Sequence, residues 1–241
     1  MLGEDKQGKL HMKLVLLISI LLVSVSSVVA QERVIGLLTL PEVFGDGPCH
    51  EFLPEEVPLY AEKGSEESIG AIRVTNYWTF PNDGGCEGLS VHVYKGDGVR
   101  AGALPTEEFD YEAPAAIVLE EQNPWFRVRL PNSAAWVRGS ENNQYYPLEE
   151  LLFNGLTYIT GASEPALRDR PGGVVVATAS TGDSVQLVDF MRVDNQLWLL
   201  VEVLSHSVCE SADEPRVLFQ GWLRAHGSSG QPSVWFYSRG C

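Results

Sequence analysis

Basic residues, cysteine and long apolar runs are all scarce in this 241-residue chain, and each scarcity excludes something. Lys and Arg number 17 against 32 Asp and Glu, a formal net charge of −15, so nucleic acid is not an expected partner. Only residues 14–30 are aliphatic enough to enter a bilayer, which rules out a polytopic membrane protein. Hydrophobic residues at 44% and charged residues at 20% lie in the ordinary globular range, which excludes disorder and collagen. Helix signals are few. Metal-binding spacings and nucleophile motifs are fewer still: there is no His-x-x-x-His and no Gly-x-Ser-x-Gly.

What is present begins with an export signal. Leu14 to Ala30 follows Lys9 and Lys13 and ends in Val28-Val29-Ala30, the small residues a signal peptidase requires before Gln31. The expectation is a cleaved signal peptide over 1–30 and a mature chain that is periplasmic or extracellular, with no membrane insertion after cleavage. All four cysteines, Cys49, Cys86, Cys209 and Cys241, follow this segment, and their even number suits an oxidising compartment. Of the three connectivities open to four cysteines, the pairing within each half of the chain is preferred: Cys49 with Cys86, and Cys209 with Cys241. Each bridge would stabilise the fold by about 3–4 kcal/mol on a chain-entropy basis.

The rest reads as mainly β. Short β-branched or aliphatic runs at Val34–Leu40, Val174–Ala179, Val185–Met191 and Leu197–Val203 are punctuated by Gly, Pro, Asn and Asp. Asp97-Gly98 and Asp194-Asn195 read as hairpin turns. One helix is expected, over Pro147–Phe153, where proline suits the first position and Glu149 and Glu150 suit the positive end of the helix dipole. Short strands joined by tight turns favour small barrels over a parallel sheet, which needs long crossovers.

A repeat is visible. Trp125 to Leu130, a turn at Pro131-Asn132-Ser133, and Ala134 to Val137 form one unit, a strand opened by Trp followed by a strand centred on a second Trp, Trp136. Trp198 to Val203 and Gly221-Trp222-Leu223 form a looser copy with an insertion around Cys209. Upstream, Val57-Pro58-Leu59-Tyr60 aligns with Glu164-Pro165-Ala166-Leu167 on the prolines, which sets Leu167 opposite Tyr60. The first copy then holds additional residues, placed between Asn76 and Asp110. Pro-Leu-Tyr, an Ile69-Gly70 strand, Trp-x-x-Val-x-Leu, a turn and small-Trp-Val together resemble bacterial SH3-type (SH3b) domains, here present twice. The resemblance implies two small SH3-like β-barrels in tandem with loop insertions. It sets an N-terminal lead-in and first domain over 31–155 and a second domain over 156–241.

Two barrels leave no room for a catalytic domain, and no residue set replaces one. Cys49 adjoins His50, but strand neighbours point to opposite faces, so that histidine is misplaced as a base. Gly182-Asp183-Ser184 reads as a turn feeding the Val185 strand. No cofactor and no metal site is expected, and the acidic pairs, Glu107-Glu108 among them, read as solvated surface. Trp125, Trp136, Trp198 and Trp222 read as barrel core. Tyr60, Tyr145 and Tyr146, beside turn or polar residues, are the candidate ligand-binding residues, since aromatics with polar tips build peptide and glycan grooves. The expectation is a non-catalytic exported binding protein whose partner is a protein, a peptide or a cell-wall component. The alternative is a structural or assembly subunit of an envelope complex.

Overall fold

A computed structural model describes residues 32–41, 56–77, 87–111, 113–153, 155–161 and 165–240, with backbone alone at 74–77 and 87–89. The expected signal peptide, Cys49, Cys86, Cys241 and Trp78 lie outside the described residues. The first half of the chain contributes β1 (Gly36–Thr39), β2 (Glu56–Leu59), β3 (Gly70–Tyr77), β4 (Glu87–Lys95), β5 (Arg100–Ala103), β6 (Thr106–Asp110), β7 (Ala113–Gln122), β8 (Trp125–Arg129), β9 (Ala134–Arg138) and β10 (Tyr145–Pro147). A short helix, α1 (Leu148–Phe153), follows. The second half contributes β11 (Thr157–Ile159), β12 (Ala166–Arg168), β13 (Val175–Thr178), β14 (Ser184–Val193), β15 (Gln196–Leu204), β16 (Val217–Arg224) and β17 (Val234–Phe236).

The chain is mainly β and its pairing is antiparallel. One sheet runs β10-β1-β7-β8-β9, with β6 also beside β7, and a second runs β2-β3-β4-β5. A bridge between Tyr60 and Trp136 joins the end of β2 to β9. The curled path through the first half is therefore β10-β1-β7-β8-β9-β2-β3. The second half forms one sheet in the order β17-β11-β14-β15-β16-β12-β13. The two paths match strand for strand, and β4, β5 and β6 are the additional residues of the first copy.

Register agrees with topology. Arg127, two residues after Trp125, faces Trp136, and Leu200, two residues after Trp198, faces Trp222. The upstream strands correct the proline alignment: Tyr60 bridges Trp136, but Arg168 faces Trp222, so the counterpart of Tyr60 is Arg168 and not Leu167. Burial explains the shift by one. Leu59 and Leu167 are the inward residues, 1% and 0% exposed, and a strand aligns by the side chains it buries.

Three apolar layers result. Leu38, Val57, Leu59, Ile72, Val91, Val93, Val118, Val128 and Val137 are among the residues filling the first curl. Leu167, Val185, Leu187, Leu199, Val201, Leu223 and Val234 are among those filling the second. Between the curls lies a third layer in which Val34, Leu37, Ala115, Ile117 and Leu119 of the first half meet Leu151 and Phe236. Glu32–Cys241 forms one compact unit. The expected helix is present and belongs to both sides of the sequence boundary at 155/156. Leu148 and Leu152, one turn apart, enter the second core, and Leu151 enters the middle layer.

The tryptophan expectation needs correction. Trp198 is buried at 4% exposure, but Trp125, Trp136 and Trp222 are half-buried. In β8 and β9 the inward positions are Phe126, Val128, Ala135 and Val137, so alternation turns Trp125 and Trp136 to the outer face.

Candidate functional site

The structure does not bring the three candidate tyrosines together. Tyr60 lies at the outer edge of the first curl, its ring set edge-on to Trp125 with centroids 5.2 Å apart. Its backbone exchanges two hydrogen bonds with Trp136, at 2.9 and 2.8 Å. Tyr145 and Tyr146 are neighbours on β10 and so take opposite faces. Tyr145 packs against the first core, its ring 4.9 Å from Phe126, and its hydroxyl donates to the Ile35 carbonyl at 3.0 Å. Burial pushes its phenol up, and Glu121 and Glu149 add to the shift against Arg192. Tyr146 turns to the middle layer, stacked on Phe109 at 4.5 Å.

That middle layer opens into a cleft of about 350 Å³. Val34 and Ile117, both buried, come from the first half, as does Glu107 from β6. Tyr158, Thr160, Gly161, Gln231, Pro232 and Trp235 come from the second half. Tyr158 on β11 and Trp235 on β17 are direct cross-strand partners. Their strand neighbours Thr157, Ile159, Val234 and Phe236 are buried, so alternation turns the Tyr158 and Trp235 rings together to the opposite face. Tyr237 stacks on Tyr158 at 4.5 Å. By register, Tyr237 is the second-half counterpart of Tyr146: the bulges after Val118 and Leu187 align β7 with β14, which matches Leu37 to Leu156, and Tyr146 pairs with Leu37 as the Tyr237 amide donates to the Leu156 carbonyl. Tyr146 and Trp235 both pack against the one layer where the halves meet.

Glu107 carries the cleft's carboxyl. Burial raises its pKa, and Arg129 on the outer face of β8 pulls it back down. Burial also raises the Tyr158 phenol, with Tyr237 and Glu107 adding to the shift. Glu108, the next residue, is engaged elsewhere. It accepts from Ser238 Oγ at 2.8 Å and from both Arg239 Nε and Nη2 at 2.9 and 2.8 Å, which clips the C-terminal segment to β6.

Sequence reading missed Glu107, Tyr158 and Trp235. Glu107-Glu108 looked like any acidic pair. The signal that was available is the alternation of Thr157-Tyr158-Ile159 and Val234-Trp235-Phe236, which leaves one aromatic of each triplet on its own face.

Two histidines are shifted by burial, His92 in the first half and the half-buried His226 in the second. His92 accepts from the Arg100 guanidinium at Nε2, and burial followed by the Arg100 charge lowers its pKa. Burial likewise lowers His226, with Arg33 and Arg192 acting the same way and the Val34 carbonyl and Glu149 opposing. Gly182 adopts φ +91° and Asp183 closes a turn onto Ser180, as the turn reading of Gly182-Asp183-Ser184 requires. Among the described residues no group of three or more His, Cys, Asp or Glu is placed to hold a metal ion. No cysteine among them is a free thiol, and no helix among them is long and apolar enough to cross a membrane. Comparison of the chain with protein-family models, with curated proteins and with solved structures finds no match.

Proposed function

We propose that the chain is a non-catalytic exported binding protein that recognises a peptide, protein or cell-wall component through two SH3-like barrels in tandem. The observation that carries this reading is the junction cleft. Two halves of matching strand order meet there, and the meeting leaves an open, aromatic-walled space with one carboxyl at its rim. Such a space is the usual form of a binding site, apolar walls with a few placed polar groups. Tyr60, with Trp125 and Trp136, offers a second half-exposed aromatic surface on the outer face of the first barrel. Tyr145 supports that barrel from within, and Tyr146 packs on the middle layer.

Export is part of the proposal: a signal peptide over 1–30, and bridges Cys49–Cys86 and Cys209–Cys241 in the mature protein. The test uses mature protein recovered from the envelope or medium. Intact mass should place its first residue at Gln31, and alkylation without reductant should add nothing. Retention of the full chain on purified cell wall, or on one exported protein, supports the binding reading.

A second reading, an assembly subunit, is favoured by one feature. β13 is the end strand of its sheet, and Val174, Val175 and Val176 are 68%, 51% and 54% exposed. The equivalent strand in the first half, β3, is covered by β4. Bare apolar edges invite strand pairing. Absence of wall retention together with a stable oligomer in size-exclusion chromatography would favour this reading over the first.

A further inference from the structure

The junction cleft differs from an ordinary apolar seam in what it leaves unmatched. Its floor, Val34 and Ile117, is buried aliphatic surface, and its wall is the paired rings of Tyr158 and Trp235. None of its lining residues is Lys, Arg or His, and Glu107 is its single carboxyl. Among the described residues nothing hydrogen-bonds or ion-pairs with the Glu107 carboxylate, whereas Glu108 beside it is held by Ser238 and Arg239. Arg129 acts on Glu107 only through its field. An anion entering the cleft would meet a carboxylate on a chain of net charge −15. A purely apolar group would leave that carboxylate desolvated without a partner, which is costly. A cation on an aliphatic stem meets neither penalty: the stem covers the floor, the rings face the charge with their negative quadrupoles, and the carboxylate neutralises it. The volume, at the lower end of the range for ligand sites, has room for a long basic side chain together with its flanking backbone.

We infer that the cleft between the two halves binds a primary ammonium or guanidinium group carried on an aliphatic stem, with the charge on Glu107 and the stem along Tyr158 and Trp235. This rests on the reading of the chain as a binding protein and names the chemistry of its site. A basic side chain within a peptide and a free alkylamine share that chemistry.

The experiment titrates the full mature chain with three probes: Nα-acetyl-lysine methylamide, pentylamine, and the uncharged Nα-acetyl-norleucine methylamide. The readout is the Trp235 indole NMR resonance, assigned with Trp235→Phe. The lysine probe should shift it saturably, and the norleucine probe should not. Affinity should fall at least about five-fold when salt is raised to about 0.5 M, and at least about five-fold in Glu107→Gln. Glu66→Gln, an exposed acid in the turn after β2, should change nothing. A response to lysine but not pentylamine assigns the site to peptides, and equal responses assign it to amines in general. Equal binding of lysine and norleucine probes, unchanged affinity in Glu107→Gln, or no response to either amine overturns the inference. Retention on wall with no probe response would sink the cation site alone. A probe response without retention on wall or any exported protein would sink the wall and protein reading alone.

Discussion

The His226 imidazole hydrogen-bonds the Val34 carbonyl through Nε2 at 2.5 Å, across 192 residues of sequence. The same loop accepts from the Val34 amide at Gly230, so the lead-in to β1 is docked on the second half of the chain by its own backbone. Burial holds His226 below the ordinary histidine pKa, and His92, facing Arg100, is shifted the same way. A histidine depressed in the folded state binds fewer protons there than in the unfolded chain. Its contribution is thus complete above the unfolded value of about 6.5 and is lost as pH falls below it toward the folded value. The melting temperature should drop between about pH 7 and 5, and His226→Gln should flatten that drop. Glu107, raised rather than lowered, acts with the opposite sign at lower pH. A pH profile unchanged by His226→Gln and His92→Gln together would refute the assignment.

The repeat tryptophans should separate by burial rather than by face. Trp198→Ala removes a ring that is 4% exposed and should cost about 3–5 kcal/mol, as for other buried large aromatics. Trp136→Ala should cost roughly half as much or less, because the Trp136 ring is half-exposed and its tie to Tyr60 is made by backbone. Urea denaturation of the two variants checks the order. Equal losses would place Trp136 back in a core.

Much of the fold was legible because it is written in local chemistry. Asp194-Asn195 takes φ of 49° and 60°, the doubly left-handed turn that closes a two-residue hairpin, and Val193 pairs with Gln196 across it. Pro147 immediately precedes helix α1, and the extra residues between Asn76 and Asp110 include three added strands. The failures all involve which side of a strand faces what. Aligning on Pro58 and Pro165 put Leu167 opposite Tyr60, since proline marks an edge but burial sets register. Sequence alone assigns the outward rings to core or to ligand surface, although an outer face can itself be packed. Tyr146 and Trp235 meet the other half of the chain, and no local pattern announces that. Nor does any spacing bring Glu107 on an added strand to Tyr158.

Strand contact at β1 leaves no room for a side chain at its first residue. A Cβ on Gly36 would lie 2.2 Å from the Tyr146 carbonyl oxygen and 2.6 Å from the Tyr145 ring. Gly36→Ala should therefore push β10 away and destabilise by about 1–3 kcal/mol or more, as overpacking does. Gly70→Ala, which would meet the Tyr94 carbonyl at 2.1 Å, should do the same at the β3–β4 pair. Exposed Gly227, with its nearest neighbour at 3.9 Å, should tolerate alanine, and thermal melts of the three variants give the comparison.

Cooperativity between the halves is the remaining consequence. If the two curls were independent, the middle layer would be an optional contact, and heating would melt them separately. The layer argues otherwise. Phe236, 7% exposed, is the last residue of β17, pairs with Thr157, and sits among Val34, Leu37, Ala115, Ile117 and Leu119 of the first half. Helix α1 ties the two sides again, through Leu151 to this layer and Leu148 and Leu152 to the second core. Neither half can bury these residues alone. The full chain should therefore unfold in one transition, coincident by tryptophan fluorescence and far-ultraviolet circular dichroism. Phe236→Ala should cost about 3–5 kcal/mol and either lower that single transition or split it in two. Two transitions in the unsubstituted chain, of which Phe236→Ala moves only one, would show that the layer couples nothing. Arg239→Ala serves as the control: it removes an exposed pair with Glu108 at the same junction and should cost no more than about 1 kcal/mol. A larger loss there would shift the weight of the coupling from the apolar layer to the C-terminal clip.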